Sequence, residues 1–230
     1  MDLLVYRTAL ARSAKAKRKL NVAKISLRKM KVSPIIPITL EGRQVVLEPL
    51  SMSHEAALIE AASDGKLWKS RVTNVPDASR MRSYIDAALA GVAERRELPF
   101  VIIRKSSGKV VGSTRFYNIL PADRSAEIGY TWLAASAQRT AVNTEAKLLL
   151  LTHAFETMKC IRVTLITDVL NEQSRAAILR LGAKQEGVMR SHIIMPDGRV
   201  RDSVLFSIIE GEWPEVKTRL EEKLSNLSQS

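Results

Sequence analysis

Apolar positions along the chain follow two periods, one of strands and one of helices. The run Gln44-Val-Val-Leu47, closed by Pro49, reads as a first strand. Ser53 then precedes a helical stretch to about Ala62. Asp77 or Ser79 is placed to cap a second helix, whose apolar residues Met81, Tyr84, Ile85, Ala88 and Val92 recur every three or four positions. Past Pro99 come three strands, 100–104, 110–119 and 126–133, the first two joined through Ser106, Ser107 and Gly108, which predicts an antiparallel meander. Between 144 and 158 apolar residues cover most of the helical circumference and leave a narrow polar stripe through Glu145, Thr152, Glu156 and Lys159, so this helix is expected to be largely buried. A strand at 162–167, a short helix at 172–181 stopped by Gly182, and strands at about 184–195 and 200–209 flanking Pro196-Asp197-Gly198 follow. Trp213, Val216, Leu220 and Leu224 mark one face of a last helix, with Pro214 tolerated in its first turn. The order predicts a mixed α/β layer arrangement.

Composition sharpens this picture at one end. With 230 residues and 46% hydrophobic positions, one large domain suffices. The formal charge of +12 is uneven, because residues 1–32 hold ten Lys/Arg against Asp2 alone, whereas the remainder carries 26 Lys/Arg against 23 Asp/Glu. Basicity therefore belongs to an extension, 1–38, and the ordered domain is expected over 39–225. The extension has no apolar run long enough to span a bilayer or to act as a secretory signal. It reads as a disordered or mis-started segment with Met30 as the alternative start, as an electrostatic arm for nucleic acid, or as an organelle presequence. The nearly balanced charge of the domain argues against nucleic acid as its partner. The lone Cys160 excludes an internal disulfide and fits a reducing cytoplasm, where it serves as a small core side chain.

No G-x-S-x-G elbow and no G-x-x-x-x-G-K-[ST] loop occurs, which removes serine-hydrolase and P-loop readings. His54 and His153 have no further ligand at metal spacing, so no metal is expected. The informative stretch is Glu127-Ile-Gly-Tyr-Thr-Trp-Leu133, followed by Ala137-Gln138-Arg139-Thr140-Ala141-Val142-Asn143-Thr144-Glu145-Ala146-Lys147. A strand feeding a helix N-terminus through a short loop presents unpaired N–H groups and the positive dipole end, a seat for a diphosphate to which Arg139 adds charge.

This stretch resembles the GNAT superfamily of N-acetyltransferases, in its RimJ/RimL-like branch, over about 39–220. The resemblance implies the GNAT fold, a mixed central sheet of about six to seven strands flanked by helices. It also implies acetyl-CoA as co-substrate and an amine acceptor, a peptide N-terminus or a small molecule, attacked directly at the thioester. A homodimer is compatible with it, and a membrane partner is not expected. The family's Gln/Arg-x-x-Gly-x-Gly/Ala cradle is matched at Gln138, while Ala141 stands where Gly is usual and Asn143 where Gly or Ala is usual. Gln138, Arg139, Thr140, Ala141, Val142, Asn143 and Thr144 thus inherit the pyrophosphate, and Thr131, Trp132 and Leu133 the strand beside the acetyl group. The segment Asn171-Glu-Gln-Ser174, with Arg180-Leu-Gly-Ala183 behind it, resembles the family's N-x-x-S element, which gives Asn171 the pantetheine arm and Ser174 the departing thiolate. Asn171 also suits a plain helix N-cap. Glu127 and His192 are alternative general bases, Glu127 having Arg115 as a possible cross-strand partner instead. Trp68 and Arg71, in the loop after the first helix, are acceptor-binding candidates. Three functions compete: an acetyltransferase, a CoA-binding regulatory domain without catalysis, and a nucleic-acid binder acting through the extension.

Overall fold

The computed structural model describes residues 35–227. The expectations for the basic extension, including the Met30 start, the presequence and the nucleic-acid arm, fall on residues 1–34 and lie outside the described residues. In chain order the elements are β1 (Leu40–Glu41), β2 (Val45–Pro49), α1 (Glu55–Ser63), α2 (Met81–Ala93), β3 (Leu98–Arg104), β4 (Lys109–Leu120), β5 (Ser125–Leu133), α3 (Ala141–Thr152), β6 (Arg162–Asp168), α4 (Glu172–Leu181), β7 (Lys184–Ile194), β8 (Val200–Ile209) and α5 (Trp213–Leu227). Among the described residues no helix is long and apolar enough to cross a membrane.

The strands form one mixed sheet of eight in the order β1-β2-β3-β4-β5-β6-β8-β7. The strand beyond the expected set is β1, whose two residues are too few to carry a periodic pattern. All neighbours pair antiparallel except β5 and β6. That parallel pairing covers only Ser125↔Arg162, Ala126↔Val163 and Glu127↔Thr164. Beyond Glu127 the two strands part, which opens a wedge in the middle of the sheet.

Side-chain alternation sorts the helices by face. Tyr84 of α2 reaches Ser113 of β4, whereas Lys147 of α3 reaches the next residue, Thr114, so α2 and α3 lie on opposite faces. Phe100 and Phe116 meet edge to face at 6.3 Å, and these rings are fully buried together with Leu150 and Leu151 of α3. Helix α5 closes this layer by stacking Trp213 on Phe155 at 5.2 Å.

Two details of the helices differ from expectation. Helix α2 begins at Met81 with Arg80 as its uncapped N-cap; Asp77 instead accepts from the Arg80 N–H and the Ser79 hydroxyl and so shapes the turn before it. Helix α3 starts at Ala141, three residues before the apolar run, because the Thr140 hydroxyl accepts from the Val142 N–H, and it ends in a π-helical turn, His153–Thr157. Glu145 of the polar stripe is buried: its carboxylate takes the backbone N–H groups of Arg43, Gln44 and Val45 at 2.9, 2.7 and 2.8 Å, and so ties α3 to the β1–β2 hairpin.

Candidate active site

The wedge is lined on one side by the free end of β5. Trp132 and Leu133 pair with Ser113 and Gly112 of β4, but nothing on β6 pairs with residues 128–133. The ladder to β4 is itself interrupted, jumping from Gly129↔Arg115 to Trp132↔Ser113, and Tyr130 takes a left-handed φ of 50°. This bulge turns the segment's backbone out of the regular ladder. Gly129 is required beside it, since a Cβ there would come within 2.6 Å of the Tyr117 ring.

Each face of the bulge is gripped by a buried cation. Toward α3, the Lys147 amine donates to the Thr131 hydroxyl at 2.6 Å and reaches that of Thr114 at 3.3 Å. Toward α2, Arg115 pairs with Glu97 at 2.8 Å and sits between the rings of Tyr84 and Tyr130, at 4.9 and 4.1 Å from their centroids. Arg115 therefore does not pair with Glu127, because the buried Glu97, beside the start of β3, is nearer. Glu127 accepts instead from the Asn118 amide at 2.9 Å, and its other oxygen is buried without a hydrogen-bond partner. Burial first, and then the nearby Glu127 carboxylate, push the Tyr117 phenol far above its ordinary range, although no hydrogen bond joins the two side chains.

At the mouth of the wedge lies the loop into α3. Gln138 donates to the Leu133 carbonyl at 2.9 Å and accepts from Gln173 of α4 at 3.4 Å, bridging the end of β5 to α4 across the opening. The left-handed residue of this loop is Arg139, with φ 59°. Ala141 and Asn143 stand in the first turn of α3, where helical backbone needs no glycine, so neither departure from the family's pattern strains the chain. Thr140 takes one of the first-turn donors, and the others project from the helix end, where an anion would meet them.

The second loop is formed at α4. Asn171 is its N-cap, accepting from the Ser174 N–H at 3.0 Å, while its amide donates to Thr73 at 3.1 Å. The Ser174 hydroxyl is half-buried and makes no hydrogen bond among the described residues. Thr73 belongs to the segment after Trp68 and Arg71, which Arg199 also holds, through the Arg71 carbonyl at 2.9 Å and an ion pair to the buried Asp168.

A family profile described as an acetyltransferase (GNAT) domain matches residues 44–184. The chain is a GNAT acetyltransferase. It is 31% identical to YdaF of Bacillus subtilis (strain 168), a protein named for ribosomal N-acetyltransferase activity, over 62% of this chain and 70% of that one. Among solved structures, a GCN5-related N-acetyltransferase from Brucella melitensis superposes with a TM-score of 0.73 at 29% identity, covering 82% of this chain and 86% of that one. Mycobacterium smegmatis RimJ, solved in complex with CoA-disulfide, superposes at 0.72 with 26% identity, covering 83% of this chain and 96% of the other. These relatives place the acetyltransferase in the RimJ/RimL-like branch.

Within this acetyltransferase the predicted site residues divide. Thr131 to Leu133, Gln138 to Thr144, Asn171 and Ser174 gather around the wedge, and Glu127 stands where its strands part. His192 lies further out, on the exposed part of β7, with Nδ1 3.0 Å from the Ser203 hydroxyl. Trp68 packs against the core from a 3-10 turn, Leu67–Lys69, whereas Arg71 is exposed with Asp197 4.0 Å away. Sequence reading missed Lys147, because a lysine in a helix is ordinarily solvated and nothing near it in the chain marks a buried partner. The signal available was its place beside Leu148, off the stripe set by Glu145 and Thr152. Among the described residues no three His, Cys, Asp or Glu side chains converge as a metal site.

Proposed function

We propose that this acetyltransferase moves the acetyl group of acetyl-CoA to a primary amine by direct attack on the thioester, with the N-terminal α-amine of a protein as acceptor. The observation that carries the reading is the wedge between β5 and β6, open beyond Glu127↔Thr164, with the first turn of α3 at its mouth. Backbone donors of residues 139–144, aided by the Arg139 charge, suit the pyrophosphate, and Asn171 suits the pantetheine amides. A backbone N–H from the stretch Thr131 to Leu133, on the edge that β6 leaves open, meets the developing oxyanion as the amine's C–N bond forms. The C–S bond then breaks, and the Ser174 hydroxyl, without a hydrogen-bond partner among the described residues, protonates or hydrogen-bonds the leaving thiolate. Glu127, at the parting of the strands and with one oxygen unpartnered, takes the amine's proton directly or through water. His192 is less suited, being held at Ser203 on an outer strand. A ribosomal protein is favoured over a small molecule as acceptor by the name of YdaF, a ribosomal N-acetyltransferase.

The test is thiol release from acetyl-CoA with N-terminal peptides of ribosomal proteins, free amino acids and polyamines as acceptors. Peptides are expected to give turnover, and Ser174→Ala is expected to lower kcat while leaving acetyl-CoA affinity within about twofold. Tight acetyl-CoA binding with no release for any amine would leave a CoA-binding domain without catalysis. Turnover confined to polyamines or amino acids would move the acceptor to small molecules.

A further inference from the structure

We propose that Lys147 is a positioning residue for acetyl transfer: from the interior it clamps Thr131, and so fixes the bulged segment of β5 whose backbone meets the thioester carbonyl. This rests on the reading of residues 131–133 as the carbonyl's donors.

The first observation is that Lys147 is in the wrong place for a lysine. It is 5% exposed, yet no carboxylate among the described residues pairs with it, and the one acid nearby on its own helix, Glu145, is taken up by the backbone of residues 43–45. Burying an amine without a counter-charge is strongly unfavourable, and a methionine or leucine would fill the same volume without that penalty. Packing therefore does not account for it.

The second observation is what the amine touches. Its partners are two hydroxyls, Thr131 at 2.6 Å and Thr114 at 3.3 Å, which also lie 2.8 Å from each other. Thr131 has no ladder partner on β4, since pairing skips from Gly129 to Trp132, and none on β6. A strand that has lost pairing on both edges needs another constraint to hold one geometry. Here it comes from side chains: Lys147 and Thr114 grip the segment from the α3 face, and Arg115 lies against the Tyr130 ring from the other. The donors of the segment are then set within the few tenths of an ångström on which such catalysis depends. Desolvation, its sole cause, lowers the Lys147 amine to about 7, in keeping with a site where hydroxyls and no ions face it from β4 and β5.

The experiment compares full-length wild type with Lys147→Met, Thr131→Val, Thr131→Ser and the Lys147→Met/Thr131→Val double variant. Lys147→Met and Thr131→Val are each expected to lower kcat by on the order of 10- to 100-fold. The KM for acetyl-CoA should stay within about twofold, because the diphosphate seat is untouched. The melting temperature of Lys147→Met should be unchanged or higher, and its amides at residues 130–132 should exchange faster with solvent. Thr131→Ser, which keeps the hydroxyl, should stay near wild type, and the double variant should be no worse than the worse single one. Unchanged kcat in Lys147→Met, a fall in kcat that tracks a fall in melting temperature, additive losses in the double variant, or a Thr131→Ser as poor as Thr131→Val would each overturn the proposal. Failure of the wild type to release thiol with any amine would instead overturn acetyl transfer itself, and the positioning role with it.

Discussion

Two cations are buried on opposite faces of the same bulge, and they are accommodated in different ways. Arg115 has the carboxylate of Glu97 at 2.8 Å and two tyrosine rings around its plane; Lys147 has two threonine hydroxyls and, among the described residues, no acid. A buried ion pair is built as a unit, so neither half can be removed alone without stranding the other. An unpaired amine can be removed alone, and the fold gains by it. The paired cation thus belongs to the architecture, while the unpaired one is a burden that the fold bears on behalf of the site.

Mutation should separate the two most sharply at Glu97. Glu97→Ala leaves Arg115 buried with no counter-ion, and is expected to lower stability by about 3–5 kcal/mol in denaturant titrations. A loss below about 1 kcal/mol would mean that the two tyrosines suffice, and the contrast with Lys147 would vanish.

The opposite sign is expected at Lys147, and it depends on pH. The folded amine titrates at about 7 against the ordinary value of 10.5 for lysine, so the unfolded chain takes up a proton that the folded chain resists. Above the unfolded value both states are neutral and no penalty exists. As pH falls from there the penalty grows, and it is complete below the folded value. Lys147→Met should therefore be more stable than wild type by about 2–4 kcal/mol at pH 6, the advantage closing as pH approaches that of free lysine. Equal stability of the two proteins at both ends of this range would show that the amine is solvated in the folded state.

Glu145 supplies an intermediate case on the same helix. Its charge is balanced by three backbone N–H groups rather than by a cation, and Glu145→Ala should cost about 1–3 kcal/mol, with faster amide exchange at residues 43–45. A loss as large as that of Glu97→Ala would make backbone donors equal to a guanidinium in holding a buried charge.

The order of strands and helices was legible because its signals are local. Strand alternation, the Gly182 stop with φ 96°, and Asn171 as a cap each act within a few residues. The two loops at the wedge were legible for a related reason, as they sit where a strand hands over to a helix. The environments of charged residues were not legible. Glu145 and Glu97 sit where the sequence looks like a solvated helix face or loop, and Lys147 interrupts an apolar run; only the sheet's stacking brings the hairpin, Arg115 or the threonines to them. The same limit explains Glu127, whose expected partner Arg115 lies on the neighbouring strand but is claimed by a residue on the far side of the meander.

The outermost strand, β7, carries a consequence of another kind. Its pairing with β8 skips between Met189 and Ile193, where Ser191 adopts a left-handed φ of 51° and its N–H turns to the Asp202 carboxylate. Ile193, Ile194 and Val200 stand exposed around this kink. A straight edge with such side chains would be a template for strands of other molecules, and the kink denies it a continuous row of hydrogen-bonding groups. Straightening it would set solubility, rather than folding, as the property first lost.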